Sequence, residues 1–364
     1  MKSNIVVSLI MMLCLTACAQ QQKKVGFVVN GTTMAGVDKV TVTDISNAKP
    51  LGAVAVSGNK FRYELNDASA KVLRLDIGQG AHCYVMTDGD SVMVDFVTGK
   101  VAGTPLTDRL NKVMLPLRDY EKKVARMRNV AATASNEEQK VSAQKSRREN
   151  SRMLKEAVPK AIESNRDNVI STILVLDYFD NLDFNVLAGY VDSKAPFLNH
   201  PVLRGIDQYV NMQKPSQAWV GKRFKDVSAN TPEGQKHSLH EYIGGKSAPG
   251  KKNYVLVDFW ASWCRPCMQE MPNVKSCWER YKAKGFKVVG ISLDSDRSAW
   301  TNAISAGGYN WVQLSDLRGF DSPAAAVYDV KSIPWNFLCD ENGTIMAVGL
   351  RDRHLAAMLE DIYE

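Results

Sequence analysis

The chain has 364 residues, 45% hydrophobic and 23% charged, with a formal net charge of +7. That composition describes a soluble globular protein of ordinary hydrophobicity, not a disordered or fibrous one, and the length predicts about two or three domains. Much of the excess charge falls between Thr107 and Glu163, where 14 Lys/Arg stand against 8 Asp/Glu. Both signs are interspersed there and aromatics are scarce, so the segment reads as a solvated helix face and not as a surface for nucleic acid or anionic lipid.

Lys2 gives the N-terminus a positive charge, and Ile5 to Leu15 forms an apolar run too short to span a bilayer. Residues 1–17 therefore read as a signal peptide. The run closes on Leu15-Thr16-Ala17-Cys18, which resembles the lipobox of bacterial lipoproteins. That resemblance implies cleavage before Cys18 and lipid on its thiol and new amino terminus, a stable anchor because several acyl chains are present. Ala19 beside it, in place of Asp, implies onward transfer to the outer membrane. The other reading is an ordinary signal peptide with a chance cysteine. Either one puts the mature chain outside the cytoplasm, where disulfide chemistry is active.

After a polar tether, residues 18–24, the pattern turns to short strands with Gly, Asn and Asp between them. Val40-Thr41-Val42-Thr43 is β-rich, and the runs 60–65, 72–77 and 91–96 alternate polar with apolar. Residues 25–104 are thus expected to form a small all-β sandwich or barrel. They resemble the β-rich domain of unknown function that precedes thioredoxin-like domains in lipoproteins of Bacteroidota. Cys83 stands in an apolar strand and reads as a small buried hydrophobe. From 105 to 214 the period becomes helical: Val113, Leu117, Tyr120, Val124 and Met127 make one stripe, Leu154, Val158 and Ile162 a weaker one. Val169 to Phe179 is apolar nearly all round and predicts a buried helix. The segment reads as a helical connector, either a spacer or packing support, with Pro116 a candidate kink.

Residues 215–364 carry the chemistry. Tyr254 to Trp260 is a continuous apolar run, expected as a strand buried on both faces and broken only by Asp258. It runs through Ala261-Ser262-Trp263 into Cys264-Arg265-Pro266-Cys267, followed by residues that favour helix. A Cys-x-x-Cys where a strand turns into a helix is a dithiol in a redox setting. Unpaired N–H groups and the helix dipole favour a thiolate at Cys264, and Pro266 suits the first helical turn. Half a zinc site is the competing reading, but no second Cys-x-x-Cys lies in the chain to complete one. Further on, a strand over Gly285–Asp294, a helix near Ala299, a helix over Ala324–Tyr328, a hairpin across Glu341-Asn342-Gly343 and a closing helix from Arg353 predict a mostly parallel α/β sheet.

The string Phe259 to Cys267, with Glu270-Met271-Pro272 after it, resembles the active site of thioredoxin-like oxidoreductases, most of all their TlpA/ResA branch. The resemblance implies a thiol–disulfide oxidoreductase with a central mixed sheet flanked by helices. Its attacking and resolving thiols are Cys264 and Cys267, with Asp258 a proton acceptor for the second thiol and Glu270 an acid beside the pair. It also implies a cis peptide bond before Pro334 and a substrate segment paired with the backbone of Ile333. Trp263, Arg265 and Pro266 complete the substrate surface. Trp260 and Trp263 are expected as an apolar floor. Trp335 and Asn336 depart from the small residues common after that proline and put the groove's shape in question. Cys277 and Cys339 read as packing.

The function expected is disulfide reduction on periplasmic proteins, in cytochrome c maturation or oxidative-stress defence. It needs no organic cofactor or metal beyond the Cys264–Cys267 redox pair. The implied partners are protein disulfides, an envelope electron donor and, through the lipid anchor, the membrane. The alternatives are a peroxiredoxin-like thiol peroxidase, since the stretch from Trp219 to Gly244 also resembles that family, and a non-enzymatic binding protein with a vestigial dithiol.

Overall fold

In the computed structural model, described for residues 26–66, 69, 71–244 and 252–364, the chain divides into two compact units, one ending at Leu115 and one beginning at Pro116. Cys18 and the tether lie outside the described residues.

The first unit strings together β1 (Phe27–Thr32), β2 (Lys39–Asp44), β3 (Lys49–Ala55), β4 (Lys60–Leu65), β5 (Val72–Asp76), β6 (His82–Met86), β7 (Ser91–Asp95) and β8 (Lys100–Ala102). Among the described residues they form two four-stranded sheets, ordered β4-β1-β7-β8 and β3-β2-β5-β6. Period-2 alternation turns Phe27, Val29, Val92 and Val94 of one sheet and Val40, Val42, Leu73 and Leu75 of the other into a single core. This is the sandwich the strand spacing predicts, with Cys83 buried inside it.

Helix α1 (Pro105–Thr133) follows, and Pro116 sits inside it without ending it. Its buried apolar positions are Leu110, Met114 and Leu117. Past Leu117 the predicted stripe is only half-buried, because Tyr120, Val124 and Met127 stay partly in water. In the second unit α2 (Glu137–Glu163) is capped by the Asn136 side chain, which accepts the Gln139 N–H, and it buries Leu154, Val158 and Ile162 as expected. Helix α3 (Val169–Tyr178) is buried along most of its length; α4 (Phe184–Asp192) and α5 (Ile206–Gln217) complete the connector.

The remaining elements are β9 (Ser228–Asn230), β10 (Lys236–Ser238), β11 (Val255–Trp260), α6 (Arg265–Tyr281), β12 (Lys287–Ser292), α7 (Arg297–Gly307), β13 (Val312–Ser315), α8 (Pro323–Val327), β14 (Trp335–Cys339), β15 (Ile345–Val348) and α9 (Asp352–Tyr363). The strands make one mixed sheet, ordered β10-β9-β13-β12-β11-β14-β15. β11, β12 and β13 are parallel, β14 runs against them, and β15 turns back antiparallel to β14. β11 is buried at every position. Its odd residues Val255, Val257 and Phe259 enter one core, with Tyr328, Trp335 and Phe337. Its even residues Leu256 and Trp260 enter the other, with Cys264, Cys267 and Met271 of the α6 side.

The segment before β9 runs beside β15. Gly221 donates to Ile345 O at 2.8 Å, Ile345 to Lys222 O at 2.8 Å and Phe224 to Gly343 O at 2.9 Å. Among the described residues no helix is long and apolar enough to cross a membrane.

Candidate active site

Strand alternation decides what lies under the dithiol. Asp258 falls between Leu256 and Trp260, so its carboxyl faces the α6 side of the sheet, where Cys264 and Cys267 pack. It is buried, and directly opposite it in the antiparallel register is Asn336 of β14. Burial pushes the Asp258 carboxyl from 3.8 up to about 7; the nearby Glu270 adds to the rise, while the Asn336 side-chain hydrogen bond and the Arg351 cation oppose it. Asn336 is itself fixed, donating to Leu350 O at 2.7 Å and accepting the Leu350 N–H at 2.8 Å.

Cys264 and Cys267 are joined, with S–S 2.02 Å. Cys264 is the N-cap of α6, and its Sγ accepts the Cys267 N–H at 3.2 Å. A sulfur in that place meets an orphan donor and the positive helix end, which favours the thiolate once the bond is open. Both cysteines are buried; Arg265 and Pro266 between them are exposed in the first turn. The redox-active pair serves in place of a cofactor, and among the described residues no His/Cys/Asp/Glu cluster has a geometry to hold a metal ion.

Glu270, one turn further along α6, is buried and not a surface residue. Its oxygens accept the Asp352 N–H at 3.0 and 3.1 Å and the Asn273 side-chain N–H at 2.6 Å, so it caps α9. Burial raises its pKa more than those bonds lower it.

The Ile333–Pro334 bond is cis, as the resemblance implies. Ile333 packs against the cluster that contains the dithiol, and Arg351 donates to the Pro334 carbonyl. Alternation turns Trp335 to the opposite core, where its Nε1 donates to Ser216 Oγ of α5 at 3.0 Å. Trp260 is buried beneath α6, its Nε1 bound to Gln313 Oε1 at 3.0 Å. Trp263 corrects the expected floor. It is 59% exposed, because a turn breaks the strand period after Ala261 and swings it out of the core. Cys277 and Cys339 are buried thiols, pushed up to about 11 and about 12 by burial.

Asn336, Arg351, Asn273 and Asp352 are the members of this neighbourhood that residue patterns alone do not single out for chemistry. For Asn336 the usable signal was a polar residue breaking an apolar strand, as with Asp258.

A family model described as the AhpC/TSA family matches residues 220–348. The thioredoxin-like protein YneN of Bacillus subtilis (strain 168) is 34% identical over 141 residues, 38% of this chain and 72% of YneN. The thiol-disulfide oxidoreductase ResA of Bacillus thuringiensis (strain Al Hakam) is 28% identical over 127 residues, 35% of this chain and 67% of ResA. Among solved structures, a thiol-disulfide oxidoreductase from Bacteroides fragilis NCTC 9343 is 33% identical, covers 39% of this chain and 99% of its own, and has a TM-score of 0.34.

Proposed function

The chain belongs to the thioredoxin-like thiol–disulfide oxidoreductases, and on that premise we propose that it is a protein disulfide reductase of the bacterial envelope. The observation that carries the reading is a Cys264–Cys267 pair at a helix N-terminus with a buried Asp258 on the same face of the sheet.

In the reduced protein the Cys264 thiolate attacks one sulfur of a substrate disulfide. A Cys264–substrate bond forms, the substrate S–S bond breaks, and the departing thiolate takes a proton from water. Asp258, ionised near neutrality, accepts the Cys267 proton through water. The Cys267 thiolate then displaces the second substrate thiolate from Cys264, which restores the internal disulfide. Two electrons have passed to the substrate, and a dithiol protein of the envelope returns them. Glu270 holds the start of α9 beside the pair, while Ile333, Pro334, Trp263, Arg265 and Pro266 frame the substrate segment. The proline between the cysteines supports a reducing poise, nearer the roughly −270 mV of thioredoxin than the about −120 mV of a strong oxidant.

The organisation proposed with this activity is a cleaved signal over 1–17 and a lipid on Cys18 with a tether over 18–24. A β domain over 25–104, a connector over 105–214 and the redox domain over 215–364 follow. The anchor would hold the protein on the outer membrane facing the periplasm; cytochrome c maturation or oxidative-stress defence is the setting. The AhpC/TSA match supports a second reading, a thiol peroxidase.

Replacing Cys267 by Ser removes resolution and leaves the attack, so mixed disulfides with native partners should accumulate in the envelope and dissolve in reductant. Cys264→Ser should trap none. Trapping by Cys264→Ser alone would reverse the roles. Failure of both, together with thiol loss at catalytic rates under peroxide, would replace the reductase with the peroxidase.

A further inference from the structure

Two aromatic rings stand in water beside the disulfide. Trp263, the neighbour of Cys264, is 59% exposed and Phe320 is 44% exposed. Their ring centroids are 6.2 Å apart with planes at 54°. Scattered exposed hydrophobics need no account, but two in contact next to a reactive bond form a patch.

Both rings stand on anchored loops. Ser262 donates to the Asp294 carboxylate from its N–H at 3.0 Å and from its hydroxyl at 2.6 Å. Asp294 is buried and also accepts from Ser292 Oγ at 2.7 Å, so the turn that presents Trp263 is tied to the end of β12. Phe320 lies in a single 3-10 turn, Gly319–Asp321, closed by the Ser322 N–H on Gly319 O at 3.2 Å. Rings held this way lose little further freedom when a partner covers them, which favours binding.

Neighbouring charge is mixed and selects no charged partner. Exposed Arg265 and Arg318 are matched by Asp321, exposed and next to Phe320 in the same turn. An apolar side chain has only area to gain there.

Resting on the reductase reading above, we propose that Trp263 and Phe320 form a specificity subsite. It selects protein disulfides whose attacked cysteine is flanked, within a residue or two, by a large apolar side chain on an extended segment. The subsite is continuous with the dithiol, so the side chain it covers holds the neighbouring substrate sulfur against Cys264.

The test uses the reduced full chain and two peptides that differ only in Phe or Ser beside their single cysteine, each as a mixed disulfide with a chromogenic thiol. Glutathione disulfide serves as a third substrate. Wild type should prefer the Phe peptide by about tenfold in kcat/KM, expressed mainly in KM, which corresponds to ~1.4 kcal/mol. Phe320→Ser should bring that ratio close to one, and Phe320→Leu should keep most of it. Equal rates on both peptides with normal turnover of glutathione disulfide would overturn the subsite and spare the reductase reading, as would an undiminished preference in Phe320→Ser. Inertness toward all three disulfides would overturn the reductase reading and the subsite with it.

Discussion

Replacing Asp258 by Asn tests the buried acid directly. An acid held at about 7 in the folded chain and at 3.8 when exposed keeps its proton longer folded than unfolded. Between those two values the native state binds the extra proton, so stability falls as pH rises. Below about pH 4 both states are protonated and nothing is lost; above about pH 7 the loss is complete and constant. At ~1.4 kcal/mol per tenfold change in ionisation, the full span amounts to about 4 kcal/mol, and water entering the site reduces it to a working range of about 2–4. Asn has nearly the same shape and no charge, so the variant should match wild type near pH 4 and exceed it by that amount at pH 8. Urea unfolding of both oxidised proteins across pH 4–8.5 gives the difference curve. The reduced variant should in turn resolve mixed disulfides about a hundredfold more slowly, as expected when a proton acceptor is removed. A stability difference that stays flat from pH 4 to 8 would mean that Asp258 is ionised throughout, and the argument from burial would fail.

The Arg351 cation favours the ionised form of Asp258, and Glu270 disfavours it. Arg351→Gln should therefore move the midpoint of the rate–pH profile of resolution upward and Glu270→Gln should move it downward; stopped-flow exchange reads both. Asp352 begins α9 at φ 47°, a left-handed conformation costly for a residue with a Cβ, and its charge lies near Glu270. Asp352→Gly should stabilise the protein by about 0.5–1 kcal/mol after losing the acid's favourable place at the helix start, measured by thermal unfolding at neutral pH. Acyl labelling in cells should vanish in Cys18→Ala, and labelling that survives would rule out the lipid anchor.

Local signals were legible and non-local ones were not. Cys264 to Cys267 could be placed because strand, turn and helix start are written in consecutive residues, and Asp258 because an acid in an apolar run is conspicuous. Its partner Asn336 depends on the register of β11 against β14, which no local pattern encodes. The face taken by Trp335 depends on the same register, so the core it joins was hidden until the strand was placed. Trp263 misled because residue type suggested a floor, whereas the turn after Ala261 puts the ring outside. Glu270 was legible as an acid near the dithiol, but not as the cap of a helix that begins 82 residues later in the chain.

The short segment that runs beside β15 has a bearing on aggregation. Sheet edges with unpaired N–H and C=O groups recruit strands from other molecules. At the opposite margin β10 is only three residues long, a poor template. At this margin Gly221, Lys222 and Phe224 occupy the groups of Gly343 and Ile345 that a neighbour would seek. A chain begun at Lys225 would keep the dithiol, the acids and the proline loop, yet present β15 bare. Its defect would be concentration-dependent self-association through that strand, at a site remote in sequence from the redox chemistry.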